Sequence, residues 1–148
     1  ENYFFFFFPY LVTKIVIKMA QIGKDGKKLD SLISELRDPA EATELRFKIT
    51  TDDFKSYGNK VISDLIAYAE NNSEWRIADD NREGVRIFFD KEGYEGWLLL
   101  RLSVHDPIMP LNIESDVKGG CKKIAETFSS FIKDYAQLDI DTLIKFIS

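Results

Sequence analysis

The chain has 148 residues, enough for one ordinary domain or one domain plus a remnant. Hydrophobic residues make up 45% and charged residues 30%, with a formal net charge of -5. That composition describes a soluble globule and disfavours a general nucleic-acid binder, which needs a basic face to displace counterions. The only cysteine is Cys121 and the only histidine His105, so an internal disulfide is excluded and a Cys/His zinc site nearly so. A single free thiol points to a reducing compartment, the cytoplasm.

The chain opens with five consecutive phenylalanines, Phe4 to Phe8, followed by Pro9. No regular element uses that pattern well, because a helix or strand would put some of the rings into water. The run reads as a sequence artefact, with a hydrophobic plug as the alternative. The longest apolar run, Phe4 to Val12, falls short of the about 20 residues that a membrane span needs, so no membrane partner is expected. The absence of an initiator Met suggests a fragment. Tyr10 to Ile22 predicts a helix with Pro9 at its first position and Leu11, Ile15, Met19 and Ile22 on one face. Gly23 and Asp25-Gly26 end it. Leu29, Leu32, Ile33 and Leu36 predict a second short helix. The polar segment Arg37 to Ala42 contains Pro39 and lacks apolar periodicity, so the domain boundary is expected there, dividing 1–43 from 44–148.

Beyond the boundary Leu45, Phe47 and Ile49 alternate with Arg46 and Lys48, a half-buried strand. Phe54, Tyr57, Val61, Leu65 and Tyr68 predict a long amphipathic helix capped by Thr51 or Asp52. Trp75 to Ala78 is a candidate short strand. Val85, Ile87 and Phe89 alternate as a strand, and Trp97 to Ser103 follows as another, with Leu98, Leu100 and Leu102 on one side. Asp106-Pro107 and Pro110 bracket a loop before the last expected strand, Leu111 to Ser115. Val117, Cys121, Ile124, Phe128, Phe131 and Tyr135 form the stripe of a second long helix, and Ile140 to Ile147 a closing helical turn or two. Tight turns between the middle strands make them antiparallel. The predicted fold class is α+β: an antiparallel sheet covered on one face by two helices.

Arg101-Leu102-Ser103-Val104-His105-Asp106-Pro107 is the segment richest in chemistry. Alternation along a strand points Arg101, Ser103 and His105 the same way where the strand leaves the sheet. Arginine offers a permanent charge and a bidentate fork, serine a hydroxyl, histidine a further donor, and the amides of Val104 and His105 can complete a cradle for phosphate. The bland alternative is a polar strand end in water with Asp106 pairing Arg101. Elsewhere the alternatives stay open but weaker. Cys121 sits at a core position rather than as a nucleophile. Asp79-Asp80 with Glu83 forms a cation site or a solvated turn. Lys118-Gly119-Gly120 approaches an anion at a helix start or merely allows close packing. Trp97 belongs to the core rather than to a stacking platform.

Asn81-Arg82-Glu83-Gly84-Val85-Arg86, then Gly96-Trp97-Leu98-Leu99-Leu100-Arg101, Ser103, Asp106-Pro107 and Glu114 resemble the fourth domain of the α-D-phosphohexomutases, the phosphomannomutase and phosphoglucomutase enzymes. Their pattern is an acidic-Gly-Val/Ile-basic strand, a strand ending Arg-x-Ser-x-Thr-Glu-Pro, and a strand ending near Glu-Ala. Upstream, Glu1-Asn2-Tyr3-Phe4 and Tyr10-Leu11-Val12 are similar to the end of that family's third domain. Phe5 to Pro9 replace an acidic, glycine-containing segment of the same length. The resemblance implies that 1–43 ends domain 3 and that 44–148 is the phosphate-binding domain 4, with a TATA-binding-protein-like fold. It implies an isomerase that interconverts hexose 1-phosphate and hexose 6-phosphate by phosphotransfer through a hexose 1,6-bisphosphate, in carbohydrate metabolism. The implied phosphate ligands are Arg101, Ser103, Val104 and His105. The implied partners are the hexose phosphate and the upstream domains. The family's catalytic serine and magnesium ligands belong to the first two domains, so neither catalytic nor metal residues are expected here and the chain by itself is expected to be inactive. Val104 has no side-chain donor and His105 replaces the family's Thr. That departure keeps open an inactive sugar-phosphate-binding paralogue.

Overall fold

The computed structural model describes the backbone of residues 3–148 and the side chains of residues 8–148. The chain divides into two compact units, one ending at Asp38 and one beginning at Pro39. In the first, a helix α1 spans Tyr3–Gly23. It starts seven residues earlier than the periodicity implied and takes in the phenylalanine run, with Pro9 inside rather than at the first turn. Phenylalanine is only a moderate helix former but not a breaker, and a single proline removes one backbone hydrogen bond without forbidding the turns on either side. Thr13 donates its hydroxyl to the Pro9 carbonyl at 2.8 Å. Tyr10, Leu11, Val12, Ile15, Val16 and Met19 are all exposed, while Ile22 is buried. Among the described residues, no helix is long and apolar enough to cross a membrane.

The second predicted helix shrinks to a 3-10 turn, Leu29–Leu32. Eight residues cannot hold an α-helix without a surface to pack on, and Leu29, Leu32, Ile33 and Leu36 are all exposed. Ser31 and Ser34 donate their hydroxyls to the carbonyls of Lys28 and Ser31, competing for the acceptors that a helix would use.

The second unit contains strands β1 (Glu41–Ile49), β2 (Arg76–Ile77), β3 (Val85–Phe89), β4 (Gly96–Leu100), β5 (Ile108–Ser115) and β6 (Leu138–Asp139), with helices α2 (Phe54–Glu70), α3 (Gly120–Ile132) and α4 (Asp141–Ile147). The described strands form one six-stranded sheet in the order β2-β3-β4-β5-β1-β6, antiparallel at every pairing. Burial alternates along β1 and β3, so one sheet face is dry and the other wet. On the dry face Phe47, Ile87, Leu98, Leu100, Met109, Leu111 and Ile113 meet Val61 and Leu65 of α2 and Ile124, Phe128 and Ile132 of α3. Phe47 stacks on Phe128 with ring centroids 6.4 Å apart. The expected α+β class, two long helices on one face of an antiparallel sheet, is therefore the fold of this unit.

Several local readings change. Strand β1 begins at Glu41 because the whole of 41–48 pairs with β5, although Ala42 to Glu44 carry no alternating pattern. Helix α2 is capped by Asp53, whose carboxylate accepts from the Ser56 amide at 3.1 Å, not by Thr51 or Asp52. Pro110 lies within β5 rather than closing a loop. Strand β6, which pairs with Lys48 and Ile49, had no signal of its own. Trp97 faces the wet side, half-buried, with the Arg86 guanidinium 4.5 Å from its ring centroid.

Candidate functional site

Strand β4 loses its regular ladder at Leu100, yet the chain stays beside β5 for three more residues. Arg101 and Ser103 still donate their amides to the carbonyls of Pro110 and Ile108, at 3.1 and 3.0 Å. Proline has no N–H to return, and Ile108 gives its own amide to Asp106 at 2.7 Å. The ladder therefore continues with one bond per pair instead of two, which is where the chain can peel away. The expected strand through Ser103 is thus half right: extended and tethered, but single-bonded.

Gly84 stands opposite this segment with φ +113°, and a Cβ there would land on the Leu100 carbonyl oxygen and the Arg101 Cα. Only glycine permits that approach. On the other side Leu102 packs over Gly58 of α2, where an added Cβ would come within 2.5 Å of its Cδ1. Leu102 is held on the dry face, and the strand's alternation turns its neighbours Arg101 and Ser103 to the other side.

These constraints build an open cavity of about 690 Å³ lined by Arg101, Ser103, Val104 and His105, together with Asp106 and Gly84. All four residues singled out in the sequence therefore share one cavity. Ser103 Oγ accepts the Asp106 amide at 3.3 Å, which bends the loop and leaves the hydroxyl proton free to donate. Among the described residues, the Arg101 side chain forms no ion pair and no hydrogen bond, and Asp106 forms no ion pair. The bland expectation, an Arg101–Asp106 pair, is not what the structure holds. The amides of Val104 and His105 have no backbone acceptor among the described residues. A permanent cation, a hydroxyl and two residues whose amides have no backbone acceptor line one open space, a donor set of the kind that an oxyanion requires.

Sequence reasoning missed the opposite wall. Lys55, Asn59 and Ile62 of α2, Arg46 of β1 and Glu83 also line the cavity. Arg46 donates to Glu44 at 2.6 Å, and Asn112 reaches the other carboxylate oxygen at 3.1 Å. The Arg46 hydrogen bond, then that of Asn112, hold the Glu44 carboxyl below its ordinary value. The one available signal for Lys55 was a cation in the first turn of a predicted helix, against the helix dipole.

The other candidates are absorbed by the fold. Glu41 fills the N-terminus of α3, accepting the Gly119 amide at 2.7 Å and the Cys121 amide at 3.3 Å. The Gly119-Gly120 approach thus serves an internal carboxylate. Cys121 is buried, and burial first, then the charges of Glu41 and Glu114, push its thiol up to about 11. Asn81 closes the acidic turn, donating to the Ala78 carbonyl and accepting the Arg86 amide. Among the described residues, no three His, Cys, Asp or Glu side chains gather as a metal site would need.

No family model matches the chain, and no curated protein matches it. Among solved structures it is similar to the X-ray crystal structure of a phosphoglucomutase/phosphomannomutase family protein from Burkholderia thailandensis, at 19% identity and a TM-score of 0.45. The match covers 73% of this chain and 20% of that one, so the chain spans about a fifth of that protein's length.

Proposed function

We propose that this chain is the C-terminal, substrate-phosphate-binding part of a phosphohexomutase that interconverts hexose 1-phosphate and hexose 6-phosphate. One observation carries the reading: Arg101, with no partner among the described side chains, shares a single cavity with Ser103, Val104 and His105. In this reading the cavity holds the phosphate that is not reacting. The fork of Arg101 takes two oxygens, Ser103 and His105 donate to a third, and the two loop amides complete the cradle. The nucleophilic serine and the Mg²⁺ ligands would come from upstream domains, and no residue of this chain is assigned to the metal. The apolar, exposed surface of α1 is what a helix contributing to such an upstream domain would present. A cytoplasmic location accords with the single buried thiol. A sugar-phosphate binder without turnover is the rival, favoured by Val104, whose exposed side chain offers phosphate no donor.

The test is calorimetric titration of the chain with glucose 6-phosphate. Arg101→Ala is expected to weaken binding by roughly ten- to a hundredfold, since hydrogen bonds to a charged group contribute about 1.5–3 kcal/mol. Its melting temperature should stay unchanged, because the side chain projects into the cavity. Unchanged affinity with a native melt would return Arg101 to a solvated strand-end charge. Rejoining the upstream domains and assaying mutase turnover separates the enzyme from the inactive binder.

A further inference from the structure

The cavity has a second cation on its opposite wall. Lys55 lies in the first turn of α2, directly after the cap Asp53 and Phe54, and lines the cavity with Asn59 one turn on. A lysine there opposes the positive end of the helix dipole, a local cost of about 0.3–1 kcal/mol. Among the described residues, no ion pair offsets that cost. Lys60 on the same helix pairs with Asp64, and Lys91 pairs with Glu74. Among the described residues, Lys55 forms no ion pair and no hydrogen bond, and the ring of its neighbour Phe54 is 6.0 Å from its ammonium, at the limit of a cation–π contact. The third cation, Arg46, is already engaged by Glu44. Two carboxylates, Glu83 and Asp106, line the same cavity. Without Lys55, Arg101 would be the single unengaged guanidinium or ammonium group facing them.

A phosphate monoester carries about -1.5 to -2 charge at neutral pH, whereas a sulfate monoester of the same shape carries a single charge. We infer that Lys55 sets the charge selectivity of this cavity: with Arg101 it makes the site one for dianionic phosphate monoesters and against singly charged esters. The inference rests on the phosphate reading of the cavity and adds to it a residue from a different element, with a different job. Arg101 fixes the orientation of the group through its fork, and Lys55 counts its charge as a mobile point cation.

The test measures the affinity of the 148-residue chain for glucose 6-phosphate and for glucose 6-sulfate at pH 7.5 and fixed ionic strength. The variants are Lys55→Gln, Lys55→Arg, Arg101→Ala and the control Lys60→Gln. Lys55→Gln is expected to weaken the phosphate ester about tenfold and the sulfate ester by no more than about threefold. Lys55→Arg should restore most of the phosphate preference, and Lys60→Gln should change neither affinity. Equal losses on both esters, or wild-type phosphate affinity in Lys55→Gln, would overturn the inference. If Arg101→Ala weakens binding while Lys55→Gln does not, this inference alone falls and the phosphate loop stands. If the wild-type chain binds neither ester, or Arg101→Ala binds as well as wild type, the reading beneath it falls too.

Discussion

At Ser115, one end of β5, the amides that open α3 are occupied by an anion of the protein's own. Glu41 reaches across from β1 to accept from Gly119 and Cys121. Ser115 Oγ, buried beneath, is shared among the carbonyls of Tyr94, Glu95 and Val117 and the Val117 amide. At Ile108, the other end, donors again converge, but among the described residues no carboxylate forms an ion pair with Arg101 or Lys55. Both ends use a glycine to let backbone come close, Gly120 against Ser115 and Gly84 against Arg101. The difference teaches how to read a convergence of donors. Where a carboxylate of the fold completes it, the arrangement is part of the scaffold. Where a cation lines an open cavity with no ion-pair partner among the described residues, the scaffold does not use it, and in the proposed function the completing anion is the ligand's.

The sharpest way to break the comparison is at the closed end. A Cβ on Gly120 would land on Ser115 Oγ and lie 2.7 Å from its Cβ. Overpacking combined with a disrupted buried hydroxyl should cost about 3 kcal/mol for Gly120→Ala, read as a lowered midpoint in urea. Phosphate affinity of the folded fraction should not change. If binding falls with stability, the two ends are one unit and the contrast fails.

A milder change at the same end is Glu41→Gln. Loss of the charge that accepts from two α3 amides should cost about 1 kcal/mol, again without effect on phosphate. It also removes one of the charges that, after burial, raise the Cys121 thiol to about 11. Alkylation of Cys121 at pH 9 should therefore be faster in Glu41→Gln than in the wild type. An unchanged rate and an unchanged melt would mean that the carboxylate is not holding the helix end.

The smallest expected effect lies at the open end. Glu44→Gln removes the partner of Arg46 and should let that guanidinium turn to the cavity, tightening glucose 6-phosphate by about two- to threefold. The pair is exposed, so stability should change by less than about 0.5 kcal/mol. The sign with pH follows from the lowered carboxyl of Glu44, caused chiefly by the Arg46 hydrogen bond. A carboxylate held below its ordinary 4.5 contributes its stability above that value, and loses it as pH falls through the lowered one. Melts of wild type and variant should therefore differ by a constant amount from pH 7 to 5 and converge in more acid buffer. A difference that grows as pH falls would reverse the assignment.

The sequence by itself determined the elements whose periodicity is repeated over several turns or strand residues. Val85-Ile87-Phe89, the α2 face from Val61 to Leu65 and the α3 stripe from Cys121 to Phe131 all declare their buried side, and two of the four residues named at the site, Arg101 and Ser103, follow from a strand's alternation. It also carried the turn residues Gly84, Asp106 and Pro107. Short or propensity-neutral pieces were beyond it. Strand β6 has two residues and exists only because Lys48 and Ile49 offer an open edge. Glu41 to Glu44 become strand only through pairing with β5, and Leu29 to Leu36 fail as a helix for want of a surface. The opposite wall of the cavity was decided by tertiary structure alone. Lys55 and Asn59 are 46 and 42 positions from Arg101 in sequence, and the packing of α2 on the sheet, with Leu102 over Gly58, brings their helix against the loop. Periodicity reports which side of an element faces the core. It does not report which polar residues of different elements meet on the other side, because that depends on crossing and register, which the buried contacts fix.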